Sequence, residues 1–229
     1  MFIDAIRQFP RFLSWPNLVF LLQAAGTTLT LTGLGCLVGL LLGGGIAAVR
    51  VTHGRALMPL RILAIIFTEL FRRIPFLVTL LLVFYATQLA GLDIPLFLIA
   101  AASVCLIATA FIAEIIRAGL LSVHRNQWDS AAVANFSLWQ TLRFVVVPQA
   151  WRVALPPAFA FFVLFVKDSA LASQIGVVEL TFAGKALENR GFSPVLAFGA
   201  ILILYFALSW PLSRLGQVLE HRLVRTRHR

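Results

Sequence analysis

Five charge-free apolar runs set the pattern of this chain: Leu18–Val49, Ile74–Leu92, Ile94–Ala113, Val153–Val166 and Gly191–Ser213. About 20 apolar residues carry an α-helix across the hydrocarbon of a bilayer. The pattern therefore predicts an all-α integral membrane protein with about five transmembrane helices, in a single transmembrane domain over residues 1–229. The first run is too long for one upright crossing, so part of it is expected to tilt or to lie at the interface. The fourth run is short. Lys167-Asp168 interrupts it before Ser169–Val178 turns apolar again, and Pro156 and Pro157 stand near its start. Charges beside membrane depth are costly, and a broken helix exposes polar backbone to a solute. The other reading is that Lys167 and Asp168 sit at the outer interface and pair with each other.

The polar stretch Asn126–Ala150 lies between two apolar runs and reads as a capped helix–turn–helix. Asn126 is expected to cap the first helix, with Asp129 reaching back toward the cap. Ser130, Ala131, Ala132, Val133 and Ala134 give it a small-residue face, and Asn135 is expected to end it in a left-handed conformation. Ser137 to Gln140 has the form of a capping box. The second helix is expected from about Leu138 to Val147, ending before Pro148. A folded element of this kind suits a loop that presses against a soluble partner; an ordinary helical hairpin is the plainer reading.

Composition and charge refine the class. Of 229 residues, 60% are hydrophobic, beyond the range of a soluble domain. The formal charge of +10 is explained by topology rather than by nucleic acid. With the N-terminus outside, Arg50, Arg55, Arg61, Arg72, Arg73, Arg117, Arg125, Arg143, Arg152, Arg214, Arg222, Arg225, Arg227 and Arg229 lie inside. Arg7, Arg11, Lys167, Lys185 and Arg190 lie outside, so the division is 14 against 5. The positive-inside rule then gives N-out, C-in, with the hairpin in the cytoplasm. Met1–Pro16 is expected to be an amphipathic, uncleaved segment on the outer interface, and Glu220–Arg229 a basic tail facing lipid. Cys36 and Cys105 suggest neither a disulfide nor a metal site.

Gly35, Gly39, Gly43 and Ala47 recur every four residues and make a smooth stripe for helix packing, within the chain or against another subunit. Ala56–Phe71 reads as an interfacial helix or the inner half of the second span, and Pro75 is expected to open the next helix. Glu114 and Arg117 share a helix face and read as a structural ion pair. The four histidines, His53, His124, His221 and His228, all fall in loops or the tail. That weakens an intramembrane enzyme as an alternative, and a stand-alone channel or secondary transporter would not need the hairpin.

Several segments carry a family resemblance. Asp129-Ser130-Ala131, Asn135 and Val147-Pro148 resemble the EAA loop of ABC-importer permeases, with Asp, Ser and Asn where that pattern has Glu, Ala and Gly. Glu69-Leu70-Phe71-Arg72-Arg73-Ile74-Pro75 resembles the E-x-F-R-G-T-P stretch of permeases for polar amino acids, with Arg73 and Ile74 replacing small residues. Ala110–Gly119 resembles A-Y-x-A-E-I-x-R-x-G. Lys167–Ser173 resembles K-D-T-S-L-A-S, and Ile175–Leu180 continues the match. From about Gly26 to Arg222 the chain resembles the histidine/glutamine/arginine/opine group of these permeases.

The resemblance implies a type I importer fold in the bacterial inner membrane and a second permease subunit, identical or different. It also implies two cytoplasmic ATP-binding subunits, an extracytoplasmic solute-binding protein and an amino-acid substrate moved by alternating access. The chain has no P-loop, so ATP and Mg would belong to the partner ATPase; no cofactor, metal or catalytic residue is expected on this chain. Carried over residue by residue, ATPase coupling falls to Asp129, Ser130, Ala131, Asn135 and Pro148. The substrate pathway falls to Arg72, Ile74, Pro75, Lys167, Asp168 and Ser169.

Overall fold

A computed structural model describes residues 2–52 and 54–225, with side chains for residues 7–52 and 54–221. His53, His228, Arg227, Arg229, Met1, the side chains of Arg222 and Arg225, and those of residues 2–6 in the amphipathic segment lie outside the described residues. Within them the chain is helical and has no strand. Helix α1 is Phe2–Phe12 and α2 is Trp15–Val51; a 3-10 turn at Arg55–Leu57 leads into α3, Met58–Arg73. Then follow α4 (Phe76–Leu89), α5 (Leu96–Leu121), α6 (Arg125–Val133), the single turn α7 (Leu138–Gln140), α8 (Val147–Asp168), α9 (Leu180–Asn189) and α10 (Pro194–Arg225).

Among the described residues, four helical stretches are long and apolar enough to cross a membrane: Trp15–Val51, Leu96–Leu121, Leu138–Ile175 and Pro194–His221. The fifth expected span is the 14-residue apolar helix Phe76–Leu89, which is shorter than its apolar run because Pro75 opens it and Gly91, at φ 67°, closes the turn behind it. The first run is one unbroken helix of 37 residues, about 55 Å at 1.5 Å per residue. The fourth is not short. Its helix is continuous from Leu138 to Ile175, because Arg152 and Lys167, which bound the uncharged run, are themselves helical. Beyond Asp168 the winding tightens to a 3-10 helix, Ser169–Ile175, stopped by Gly176 at φ 94°. Lys167 and Asp168 form no ion pair with each other among the described residues. The last helix continues past Arg214 into the basic tail.

The chain divides into two compact units: Met1–Gly35, Pro75–Val104 and Phe162–Leu212 in the first, Cys36–Ile74, Cys105–Phe161 and Ser213–Arg229 in the second. In the first unit, α1 does more than lie on an interface. Phe12 is buried edge-on against Phe192 at 5.4 Å, and Gln8 accepts the Ser193 N–H at 2.7 Å. Leu21, Ala24, Leu180, Leu187 and Ile201 pack with Phe12 as one apolar cluster. A fully buried carboxylate, Glu179, caps α9. It accepts the N–H groups of Thr181 and Phe182 at 2.9 and 2.8 Å and the Tyr205 hydroxyl at 2.8 Å. Burial pushes its pKa up, and these donors oppose the shift.

The glycine stripe is resolved into intramolecular packing. In the second unit, a Cβ on Gly39 would meet the Ala108 backbone carbon at 3.1 Å, and one on Gly43 would meet the Ala113 nitrogen at 2.9 Å. Ala47, the next position, is fully buried in a cluster with Val51, Leu120, Val123, Val146 and Ala150. Backbone against backbone leaves no room for a methyl. Gly43→Ala is therefore expected to cost about 1–3 kcal/mol through forced separation of α2 and α5. Gly45→Ala, in the same helix but with nothing within 4 Å of the new carbon, is expected to be neutral or stabilising. Thermal unfolding midpoints of the two variants in detergent check the contrast.

Candidate functional site

Two arrangements in the second unit concentrate polar chemistry: the hairpin that contains α6, and a charge cluster on α2, α3 and α5. Helix α6 is capped two residues earlier than expected. His124 is the cap, its Nδ1 accepting the Asn126 N–H at 3.3 Å, because the chain leaves α5 at Leu121 and needs only a short turn. Asp129 consequently does not reach back to a cap. It is exposed and lies 3.9 Å from Arg125, one turn earlier.

Asn135 behaves as its chemistry predicts. It is the one non-glycine residue with positive φ among the described residues, at 63°. Two backbone bonds close the helix end around it, Asn135 N–H to Ala132 O and Phe136 N–H to Ala131 O, both at 3.0 Å. This pair of bonds is the Schellman arrangement, and it needs a residue tolerant of the left-handed region. The capping box also forms: the Gln140 N–H donates to Ser137 Oγ at 3.3 Å, and the Ser137 N–H donates to Gln140 Oε1 at 2.8 Å.

The second helix does not end before Pro148. Residues Thr141–Val146 form a π-helical turn, the Val147 N–H donating to Leu142 O, and α8 continues straight through Pro148. Proline has no N–H to bond back along the helix and its ring crowds the preceding turn. A widened turn just before it accommodates both deficits.

Ala131 and Thr141 are buried, and Gln149 donates to Gln127 Oε1 at 3.2 Å, so the hairpin is anchored from beneath. Its outer side is apolar: Val133 is 89% and Trp139 72% exposed, with Phe136 and Leu138 exposed beside them. Ser130 is exposed, and Pro148 lies exposed in the first turn of α8. A cleft of about 690 Å³ runs along α6, lined by Val51, Leu121, His124, Trp128 and Asp129 among others.

The expected pair Glu114–Arg117 is part of a larger cluster. Arg117 forks onto both carboxylate oxygens, Nε at 3.0 Å and Nη2 at 2.5 Å. Arg50 at the end of α2 donates to Glu114 Oε2 and to Thr68 Oγ1, both at 2.8 Å. Arg72 at the end of α3 approaches the same Oε2 at 3.5 Å and lies over the Phe111 ring at 6.0 Å. Sequence reasoning missed Arg50 and Thr68. The first charge after a 32-residue uncharged run reads as a topological marker, and only the helix packing brings it to Glu114.

The expected pathway residues fall in different units. Arg72 and Ile74 belong to the second, Ile74 in the extended link between α3 and α4. Pro75, Lys167, Asp168 and Ser169 belong to the first. Lys167 is exposed and Asp168 half-buried, whereas Ser169 is buried and its hydroxyl donates to Val166 O at 2.7 Å.

Comparison with known proteins gives the class of this multi-helix membrane chain. The chain belongs to the family described as binding-protein-dependent transport system inner membrane component, whose model matches residues 41–225. It is 30% identical to the glutamine transport system permease protein GlnP of Escherichia coli K12 over 211 residues, 91% of this chain and 95% of that protein. It is 32% identical to the L-cystine transport system permease protein TcyB of Bacillus subtilis 168 over 199 residues, 86% of this chain and 84% of that one. The structure superposes on a chain of an amino acid ABC transporter crystallised with histidines, with a TM-score of 0.81, 26% identity and coverage of 97% and 98%. The fold also matches the MetNI methionine ABC transporter in an inward-facing form at 21% identity, with a TM-score of 0.77 and coverage of 92% and 99%.

Two substitutions test the local physics. Asn135→Gly is expected to leave the hairpin intact, whereas Asn135→Val should destabilise it by about 1–2 kcal/mol. Limited proteolysis between α6 and α7 would register the difference. Glu114→Gln leaves the arginines around it without their counter-charge and is expected to cost on the order of 3 kcal/mol, measured by thermal unfolding in detergent.

Proposed function

We propose that this chain is the membrane-spanning subunit of an ATP-driven importer that carries a polar amino acid inward by alternating access. The hairpin Arg125–Gln140 is the observation that carries the reading. It is capped at both helices, closed by Asn135 and tied down by Ala131, yet it holds Val133 and Trp139 outward, where an isolated loop gains nothing from them. A soluble partner that covers this apolar rim gives it a purpose. The amino-acid class follows from the relatives, whose names specify glutamine and cystine transport.

In this reading the N-terminus lies outside and the C-terminus inside, which puts the hairpin at the cytoplasmic face. Two ATP-binding subunits bind there, holding the ATP and Mg that this chain does not. A second permease subunit completes the pathway and an extracytoplasmic binding protein delivers the solute. Closure of the ATPases pushes through Asp129, Ser130, Ala131 and Asn135, and the bundle opens outward. A ligand can shift such an equilibrium only through differential contact with the two states. Arg72, Ile74, Pro75, Lys167, Asp168 and Ser169 are the side chains assigned to the solute's path.

Affinity purification of the tagged chain is expected to bring down an ATPase chain, and its consistent absence defeats the reading. In the reconstituted complex, Asp129→Lys or Asn135→Pro should insert normally yet lower solute-stimulated ATP hydrolysis about tenfold or more, the scale of a typical coupling energy. Unchanged stimulation removes the hairpin from the mechanism. Asp168→Ala should reduce solute uptake while leaving assembly intact; normal uptake takes Asp168 out of the path.

A further inference from the structure

The charge cluster of the second unit carries more positive charge than its acids answer. Arg50, Arg72, Arg73 and Arg117 stand against Glu69 and Glu114, four positive charges against two negative. Glu114 is saturated by the fork of Arg117 and the bond from Arg50. Glu69 is taken by Arg73, whose Nη2 and Nε donate to Oε2 at 2.6 and 3.0 Å, and it reaches Arg72 only at 3.9 Å.

Two guanidiniums are left incompletely paired. The Arg50 side chain is 9% exposed, and its Nε–H is buried without an acceptor. Arg72, a third exposed, meets both acids only at ion-pair distance and makes no hydrogen bond among the described residues. Its planar fork of donors is thus open to a further acceptor. Both arginines converge on the same oxygen of Glu114, Arg50 Nη1 at 2.8 Å and Arg72 Nη1 at 3.5 Å, so the two positive charges stand close together. An uncompensated positive charge against membrane-embedded helices is expensive, and a guanidinium fork matches the two oxygens of a carboxylate or phosphate better than it matches chloride.

We propose that Arg72 and Arg50, beside Glu114, form a binding site for one oxyanion. Two sources share that chemistry: the phosphate of an anionic lipid, and the carboxylate of an amino acid on its way through the protein. The solute-carboxylate source rests on the importer reading and the lipid source does not; in either case occupancy is measured without transport or ATP, so failure of the site is distinguishable from failure of that reading.

The experiment uses the full-length chain purified in neutral detergent, with thermal unfolding followed by tryptophan fluorescence. Inorganic phosphate, short-chain phosphatidylglycerol, glutamine and glutaminamide are each titrated against chloride at equal ionic strength. At least one oxyanion is expected to raise the midpoint saturably. Arg72→Gln should weaken its apparent affinity about tenfold or more, and Arg72→Lys less severely, because charge survives and the fork does not. Arg152→Gln, an exposed arginine outside the cluster, should change nothing. A response to phosphatidylglycerol without one to glutamine assigns the site to lipid; a response to glutamine but not glutaminamide assigns it to the solute carboxylate. Absence of a saturable rise above chloride overturns the proposal, as does a rise that Arg72→Gln leaves intact. Should Arg72→Gln fail to fold, Arg72→Lys decides, and unchanged affinity in that variant is also fatal.

Discussion

Backbone-to-backbone approach of α2 and α5 is the constraint on which the second unit depends. Hydrocarbon offers no hydrophobic drive to bring two apolar helices together, so close van der Waals packing must do it. Gly39 and Gly43 remove the side chains that would keep the helices apart, and their would-be Cβ atoms point at Ala108 and at the Thr109–Ala113 backbone. The two helices run in the same direction, and the seam places Arg50 a few residues beyond Gly43. A helical side chain leans toward its own N-terminus, so Arg50 reaches back along α2 to meet Glu114 on α5. The ion cluster is therefore a product of the glycine seam.

The cluster also shows why a single pair is the wrong unit of description. Glu114 and Arg117 alone, three residues apart on one helix, would be a local contact worth little. With Arg50 and Arg72 included, one carboxylate ties three separate helices; the Glu114 side chain is 17% exposed and that of Arg50 9%. The arrangement gains from charge-assisted hydrogen bonds and is penalised by desolvation, a balance that commonly yields specificity of position more than net stability.

Much of the architecture was legible in the sequence because membrane helices announce themselves by length and charge. The helix end at Asn135, the box at Ser137–Gln140 and the helix start after Pro75 all follow from local chemistry. The failures share a cause. The limits of uncharged runs do not mark helix ends: Arg152, Lys167 and Arg214 are helical, since long cationic side chains can extend away from apolar surroundings. Long-range partners were out of reach: nothing local to Arg50 names Glu114, and nothing in the apolar run around Tyr205 names Glu179. The cap at His124 is hidden because Asn126, two residues on, is the commoner residue in that role.

The wide turn at Thr141–Val146 fixes a direction. A π turn holds one residue more than the α turn it replaces, and each residue of an α-helix turns the chain by about 100°. If this stretch relaxed to ordinary winding, everything before it, including Asn135 and the apolar rim at Trp139, would swing by that angle about the axis of α8. Pro148 opposes the relaxation, since α winding would drive its ring against the carbonyl four residues back. One imino acid thus joins the buried anchors in setting the compass bearing of the whole knob.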